Sequence, residues 1–260
     1  MPRLVPPDVP IGIHGELIAA HFRGLGGEAL VVDPDLRVLL MCFVNRSGSF
    51  HLAELLASTG RLPLAEESLN AEVVVAAARR HGLGSFPAYL GHLARAAHLA
   101  DSGSAGGWLA LKVGVHQLRL LCEAGFLDAV APRLRFLLVD RRDRVAQAVS
   151  RAIAEQTGSW AAFMPARPGA APVYDRRRIE AAVGEIADFM RGFEAFFAAN
   201  AIAPVRVVYE ELVARPQAEV DRVLAELGMP PAPIDMSRPR WRSQHGALNV
   251  AWRQQYLSGG

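Results

Sequence analysis

Apolar positions along the chain fall into two patterns, unbroken runs of strand length and longer stretches of helical spacing, and the two alternate. Val38–Val44 is an unbroken apolar run bounded by polar residues, which predicts a central parallel strand buried on both faces. A helix is expected to start near Ser47–Ser49, where serines can cap free amides and Leu52, Leu55 and Leu56 recur at helical spacing. Trp108–Val113 and Arg135–Val139 predict two more buried strands, with the helix Val115–Ala124 between them, and Val205–Tyr209 predicts a fourth. Beyond Val139 the stretch DRRDRVAQAVS opens a helix that reaches about Thr157. From Asp175 to Asn200 the residues Ile179, Val183, Ile186, Phe189, Met190, Phe193 and Phe197 predict a long amphipathic helix, read as core packing. Ala218–Leu227 predicts a helix ended by Gly228.

This alternation of strand and helix from Val38 to Gly228 implies an α/β fold, a mostly parallel central sheet flanked by helices on both faces. In such sheets ligands sit at the carboxyl ends of strands, where the Asn45–Ser49 turn falls. Residues 1–37 are rich in Pro and Gly, with a short helix around His14–Phe22, and read as an extension packed on a core domain of residues 38–260. No chemistry is assigned to them. Residues 60–100 carry the acidic pair Glu66–Glu67, then helical sequence broken at Gly82–Pro87, and Asp101–Gly107 reads as a loop. The tail Ile234–Gly260 has four arginines and two tryptophans but weak periodicity.

At 260 residues, 51% of them hydrophobic, the chain can bury a sizeable core. A formal net charge of +2 gives no strong global pull on nucleic acid or acidic membranes, so anion binding has to come from locally placed arginines. Cys42 and Cys122 are too few for a disulfide framework or a thiolate-rich zinc site, which fits a reducing, cytoplasmic setting. The N-terminus lacks a basic patch followed by an apolar core, and the most apolar later stretch is broken by Asp33, Pro34, Asp35 and Arg37. Neither a signal peptide nor a membrane span is therefore expected.

Two segments carry anion chemistry. In Asn45-Arg46-Ser47-Gly48-Ser49 the glycine lets the backbone curl, the serines add hydroxyls, the following helix offers free amides, and Arg46 adds a planar cation. The same turn also reads as an ordinary strand-to-helix connection whose serines only cap the helix. In Asp140–Ser150 adjacent arginines, Arg141 and Arg142, stand at a strand end with Ser150 about two turns on, a second phosphate site or else a solvated basic helix start. Like charges at a helix N-terminus are unfavourable, and an anion there would relieve the cost. No lysine follows Gly48 as in G-x-x-x-x-G-K-[ST], which argues against ATP.

These segments, in order with Glu155-Gln156-Thr157, Trp160, VYDRRRIEAAVGEI and VRVVYEELVARP, resemble the bacterial carbohydrate sulfotransferases typified by trehalose 2-sulfotransferase, over roughly residues 38–256. The resemblance implies a modified P-loop (sulfotransferase-like) fold and the donor 3′-phosphoadenosine 5′-phosphosulfate (PAPS), with adenosine 3′,5′-bisphosphate (PAP) as product. By position, Asn45, Arg46, Ser47, Gly48, Ser49 and Phe50 fall on the loop that holds the 5′-phosphosulfate, Phe50 standing where the family usually has threonine. Arg141 and Ser150 match the pair that binds the 3′-phosphate, with Arg142 the alternative arginine. Lys112, in WLALKVGVHQ, matches a catalytic lysine in a segment that here lacks its tryptophan but retains Gln117. Counting from the shared Arg-Ser-Gly-Ser, the family's catalytic glutamate falls on Glu67, within Leu64-Ala65-Glu66-Glu67 in place of Gly-x-Pro-x-Glu. Trp252-Arg253-Gln254-Gln255-Tyr256 resembles the closing W-x-x-x-[FY] element. The implied reaction is sulfuryl transfer to a hydroxyl of a carbohydrate or glycolipid acceptor, without a metal, because fixed cations and helix amides play its part. A nucleotide kinase and a non-catalytic donor-binding homologue stay open as alternatives, as does a homodimer.

Overall fold

The unbroken apolar run does become a strand buried on both faces. In a computed structural model that describes residues 3–99, 107–161, 164–237 and 246–259, β1 (Arg37–Phe43) pairs in parallel with β2 (Trp108–Val113) on one side and β3 (Leu134–Asp140) on the other. β4 (Val205–Val208) adds to β3, giving an all-parallel sheet of order β2-β1-β3-β4. Successive side chains of a strand point to opposite faces, and β1 divides accordingly. Val38, Leu40 and Cys42 enter one apolar cluster, whereas Leu39, Met41 and Phe43 enter the other. Each such aliphatic side chain, fully buried, contributes roughly 1.5–3 kcal/mol.

In chain order the helices are α1 (Gly12–Phe22), α2 (Ser49–Ser58), α3 (Ala71–His81), α4 (Phe86–Leu99), α5 (Val115–Glu123), α6 (Phe126–Val130), α7 (Arg144–Thr157), α8 (Arg176–Ala199), α9 (Tyr209–Ala214), α10 (Pro216–Glu226) and α11 (Ala247–Leu257). α2 and α10 cover the face that holds Leu39 and Met41, through Leu52, Leu55, Leu56, Val220, Val223 and Leu224. The other face is covered by α1 and by α3 to α8, whose Phe193, Phe196 and Phe197 pack deepest among the aromatic residues of α8. The break near Gly82–Pro87 separates α3 from α4: Gly82 takes φ 65 at the end of α3, and Pro87 falls in the first turn of α4, where a missing N–H is harmless.

Strand ends differ from the sequence expectation by one residue, and Tyr209 opens α9 rather than closing β4. α11 has no counterpart in the weakly periodic tail. It forms because Trp252 is buried against Tyr174 and Arg253 bonds to α7, so tertiary contacts replace an apolar stripe. Residues 101–106 of the loop expected at Asp101–Gly107, and the tail residues Arg238, Arg240, Trp241 and Arg242, lie outside the described residues. Among the described residues no helix is long and apolar enough to cross a membrane.

Candidate active site

β1 and β3 are neighbours, yet the chain leaves β1 for β2 on one side and later enters β3 on the other. The crevice between their carboxyl ends is thus a topological switch point, the place where open parallel sheets bind ligands. The Asn45–Ser49 turn follows β1 and Arg141–Asp143 follows β3, so the sheet alone sets the two predicted anion segments side by side. Both border a cavity of about 880 Å³.

Within the turn Arg46 (φ 68) and Gly48 (φ 88) are both left-handed, which reverses the chain and aims it into α2. Gly48 is required for space as well: a Cβ there would stand 2.2 Å from Cδ2 of Tyr209, whose ring lies against the turn. Gly48 provides no side-chain cap for α2, and Ser49, which lines the cavity, begins the helix. The first-turn amides of α2 are therefore available to an oxyanion. Ser47 is buried beneath the turn, with a hydroxyl that has no hydrogen-bond partner among the described residues, and it does not line the cavity. Such a group costs about 1–3 kcal/mol unless something satisfies it.

The arginines close the crevice from the other side. Arg46 Nε donates to Ser150 Oγ on α7 at 2.9 Å, and its Nη1 donates to the Trp160 carbonyl. Arg141, 5% exposed, donates from Nη1 to the Arg46 carbonyl at 3.0 Å and lies 4.8 Å from the Tyr209 ring centre. Burial, and then the charge of Arg141, bring Arg46 down to about 10. Burial also lowers Arg141, against the pull of Tyr209 and Glu210. Two partly desolvated guanidinium groups that repel each other make a site whose charge an oxyanion would balance. The donor set fits a phosphate-bearing ligand. Arg142 takes the opposite course: it is exposed, donates to Glu211 Oε1 at 2.5 Å, and does not line the cavity.

A second corner holds acid and base. Lys112 occupies the carboxyl end of β2, 5% exposed, and its Nζ donates to Glu67 Oε1 at 2.7 Å. Its ammonium also lies 4.5 Å from the Phe43 ring centre and 5.7 Å from that of Phe50, in favourable cation–π reach. Glu67 is delivered by an isolated parallel bridge: Glu66 pairs with Leu111, and the Lys112 amide donates to the Glu66 carbonyl at 2.8 Å. Asn70 Nδ2 donates to Glu67 Oε2 at 3.3 Å, Gln117 Nε2 donates to Asn70 Oδ1 at 3.0 Å, and the Gly114 amide donates to Gln117 Oε1 at 2.9 Å. Burial works to raise the Glu67 carboxyl, but the Lys112 charge and hydrogen bond, helped by Asn70, outweigh it and hold the group below its ordinary value. Glu67 is thus ionised at neutral pH.

Of the residues expected from the sequence, Asn45, Arg46, Gly48, Ser49, Phe50, Glu67, Lys112, Arg141 and Ser150 meet around one cavity. Several other residues escaped sequence reasoning. Behind the cavity wall, Gln147, fully buried, donates to the Asn45 carbonyl at 2.9 Å and ties the turn to α7; its signal is a lone amide in the apolar stretch Val145–Val149. Tyr209 gave no signal beyond its place at a strand end. Ile11–His14, from the segment to which no chemistry was assigned, also line the cavity, and so does Phe189 from the helix read purely as core. His51 lines it too, and burial lowers its imidazole to about 4, so it stays neutral.

A family model described as Stf0 sulphotransferase matches residues 110–258. The match begins within β2, so it includes Lys112, Arg141 and Ser150, while the Asn45–Ser49 turn and Glu67 precede it. Among solved structures, the sulfotransferase domain from the Synechococcus PCC 7002 olefin synthase aligns over 90% of this chain and 92% of its own, at 12% identity and a TM-score of 0.40. No curated protein matches the chain significantly.

Proposed function

The chain belongs to the Stf0 sulphotransferase family, and from that premise we propose that it transfers the sulfuryl group of PAPS to a hydroxyl of a carbohydrate or glycolipid acceptor. The observation that carries the proposal is the meeting, in one cavity, of the oxyanion crevice of Arg46, Ser49, Arg141 and Ser150 with the Glu67–Lys112 pair. Ser49 and the first-turn amides of α2, with Arg46, hold the 5′-phosphosulfate, and Arg141 with Ser150 holds the 3′-phosphate. When bound, the donor supplies the sulfuryl group, whose bond to the bridging phosphate oxygen is exchanged for one to the acceptor oxygen.

Glu67 takes the proton of the acceptor hydroxyl as that oxygen bonds to sulfur. Lys112 meets the charge left on the phosphate oxygen from a desolvated position. The two roles are coupled. As Lys112 turns from Glu67 toward the leaving oxygen, Glu67 loses the contact that depresses its basicity and becomes the better proton acceptor. The buried thiols Cys42 and Cys122, both free, suit the cytoplasmic setting that belongs to the same proposal. Calorimetric titration with adenosine 3′,5′-bisphosphate tests the donor assignment: saturable binding is expected, and binding of ATP alone would replace the reading with that of a kinase. Labelled donor with an acceptor panel then separates a transferase from a homologue that only binds the nucleotide.

A further inference from the structure

Asparagine at the start of a helix ordinarily turns its side chain back to cap the first free amides. Asn70 stands at that place before α3 and makes no such bond; His14 Nδ1 accepts from the Ala71 amide instead, at 3.1 Å. The Asn70 side chain is drawn between Gln117 and Glu67, and the direction of that chain of hydrogen bonds is fixed from its far end. Gln117, 7% exposed in the first turn of α5, reaches back to the Gly114 amide at 2.9 Å. A main-chain N–H can only donate, so the Gln117 side-chain oxygen must face it and Nε2 must face Asn70. Asn70 then accepts on Oδ1 and is left with Nδ2 to donate to Glu67 Oε2. Reversing either side-chain amide would set donor against donor or acceptor against acceptor. The other carboxylate oxygen, Oε1, accepts from Lys112.

We infer that Asn70 and Gln117 are positioning residues that act as one directional relay, carrying the demand of the Gly114 amide to Glu67 Oε2 and leaving Oε1 to Lys112. This rests on the proposed reading of Glu67 as the base. A carboxylate accepts from Asn70 Nδ2 more strongly than the neutral acid does, so the relay favours the ionised form. In this it acts with Lys112 on β2 and, once protonated, with His14 on α1, against the burial of Glu67. Glu66 and Glu72, the other carboxylates lining the cavity, are exposed, and Glu72 Oε2 lies 3.9 Å from His14 Nδ1. His116, on the same turn of α5 as Gln117, has its Nδ1 2.6 Å from the Pro10 carbonyl.

The test reads the Glu67 carboxyl directly, by carbon-13 NMR of the full chain labelled at its glutamate side-chain carboxyls and titrated without donor or acceptor. Glu67→Gln identifies the signal. Asn70→Leu is expected to raise the titration midpoint by about one pH unit, a roughly tenfold change in dissociation constant, and Gln117→Met by about half a unit. Because Gln117 acts through Asn70, the double variant should match Asn70→Leu alone. Gln117→Asn keeps the amide but not the reach for both bonds, and is expected to raise the midpoint as Gln117→Met does should that variant fail to fold. A merely structural role would lower Tm and leave the midpoint in place. An unchanged midpoint in Asn70→Leu or in the folded Gln117 variant, or shifts that add in the double variant, would each overturn the inference. The base role is tested apart: undiminished transfer in Glu67→Gln would remove it without touching these midpoints.

Discussion

Lys112 at the carboxyl end of β2 shows how one residue can set the chemistry of another. Position 112 is buried within β2, and among the described residues the side-chain hydrogen bond of its ammonium goes to Glu67 Oε1 at 2.7 Å. Glu67→Gln keeps the shape of that corner but removes the proposed base, and kcat is expected to fall by about 10²–10⁴ with bisphosphate affinity unchanged. The pH dependence has a definite sign. In its proposed role Glu67 must be ionised to accept a proton, so activity is expected to fail as pH falls through its pKa, which Lys112 holds below the ordinary carboxylate range. In Lys112→Met burial is left to dominate, and the acidic limb of the rate profile should move to higher pH. The two adjacent arginines separate as cleanly. Arg141→Ala, which removes a buried cavity cation, should weaken bisphosphate binding by roughly 30-fold or more in calorimetry, whereas Arg142→Ala should stay within about threefold. Charge and position in sequence do not distinguish Arg141 from Arg142. Only the exit angle from β3 does, turning one into the crevice and the other to Glu211.

Elements legible from periodicity alone formed where expected, because β1, β3 and α8 bury one or both faces and their patterns report that burial. The turn after β1 was legible in type, since a glycine among serines between strand and helix has few other conformations. Its demand for glycine was not. Gly48 faces Tyr209, more than 150 residues later in the chain, so the constraint is tertiary. Gly48→Ala meets both a left-handed backbone penalty and an overlap with that ring, together about 2–5 kcal/mol. A lowered Tm and loss of bisphosphate binding are the expected readouts. α11 and the Glu66–Leu111 bridge were missed for a related reason. A helix held by Trp252, the Arg253 ion pair and the contacts of Tyr256 with Arg176, or a strand of a single residue, leaves no periodic trace.

Across the whole molecule the strand order β2-β1-β3-β4 makes the site, because it brings the ends of β1 and β3 together while sending the connecting helices to opposite faces. A ligand that spans both segments should couple them. Adenosine 3′,5′-bisphosphate at about 100 times its Kd is expected to stabilise the folded chain by about 2.7 kcal/mol. The resulting rise in Tm should fall to about a third or less in Arg141→Ala at the same ligand concentration. A Tm indifferent to the ligand in the unsubstituted protein would mean that the crevice does not hold it. By itself the sequence determined the α/β class, the strands and the residue types at the anion turn, since apolar runs and short-range turn chemistry are local properties. The tertiary structure decided which arginine enters the crevice, why residue 48 is glycine, how Glu67 reaches Lys112, and that residues 11–14 line the cavity. Each of those depends on side chains far apart in sequence, whose meeting is fixed by sheet order and packing rather than by any pattern along the chain.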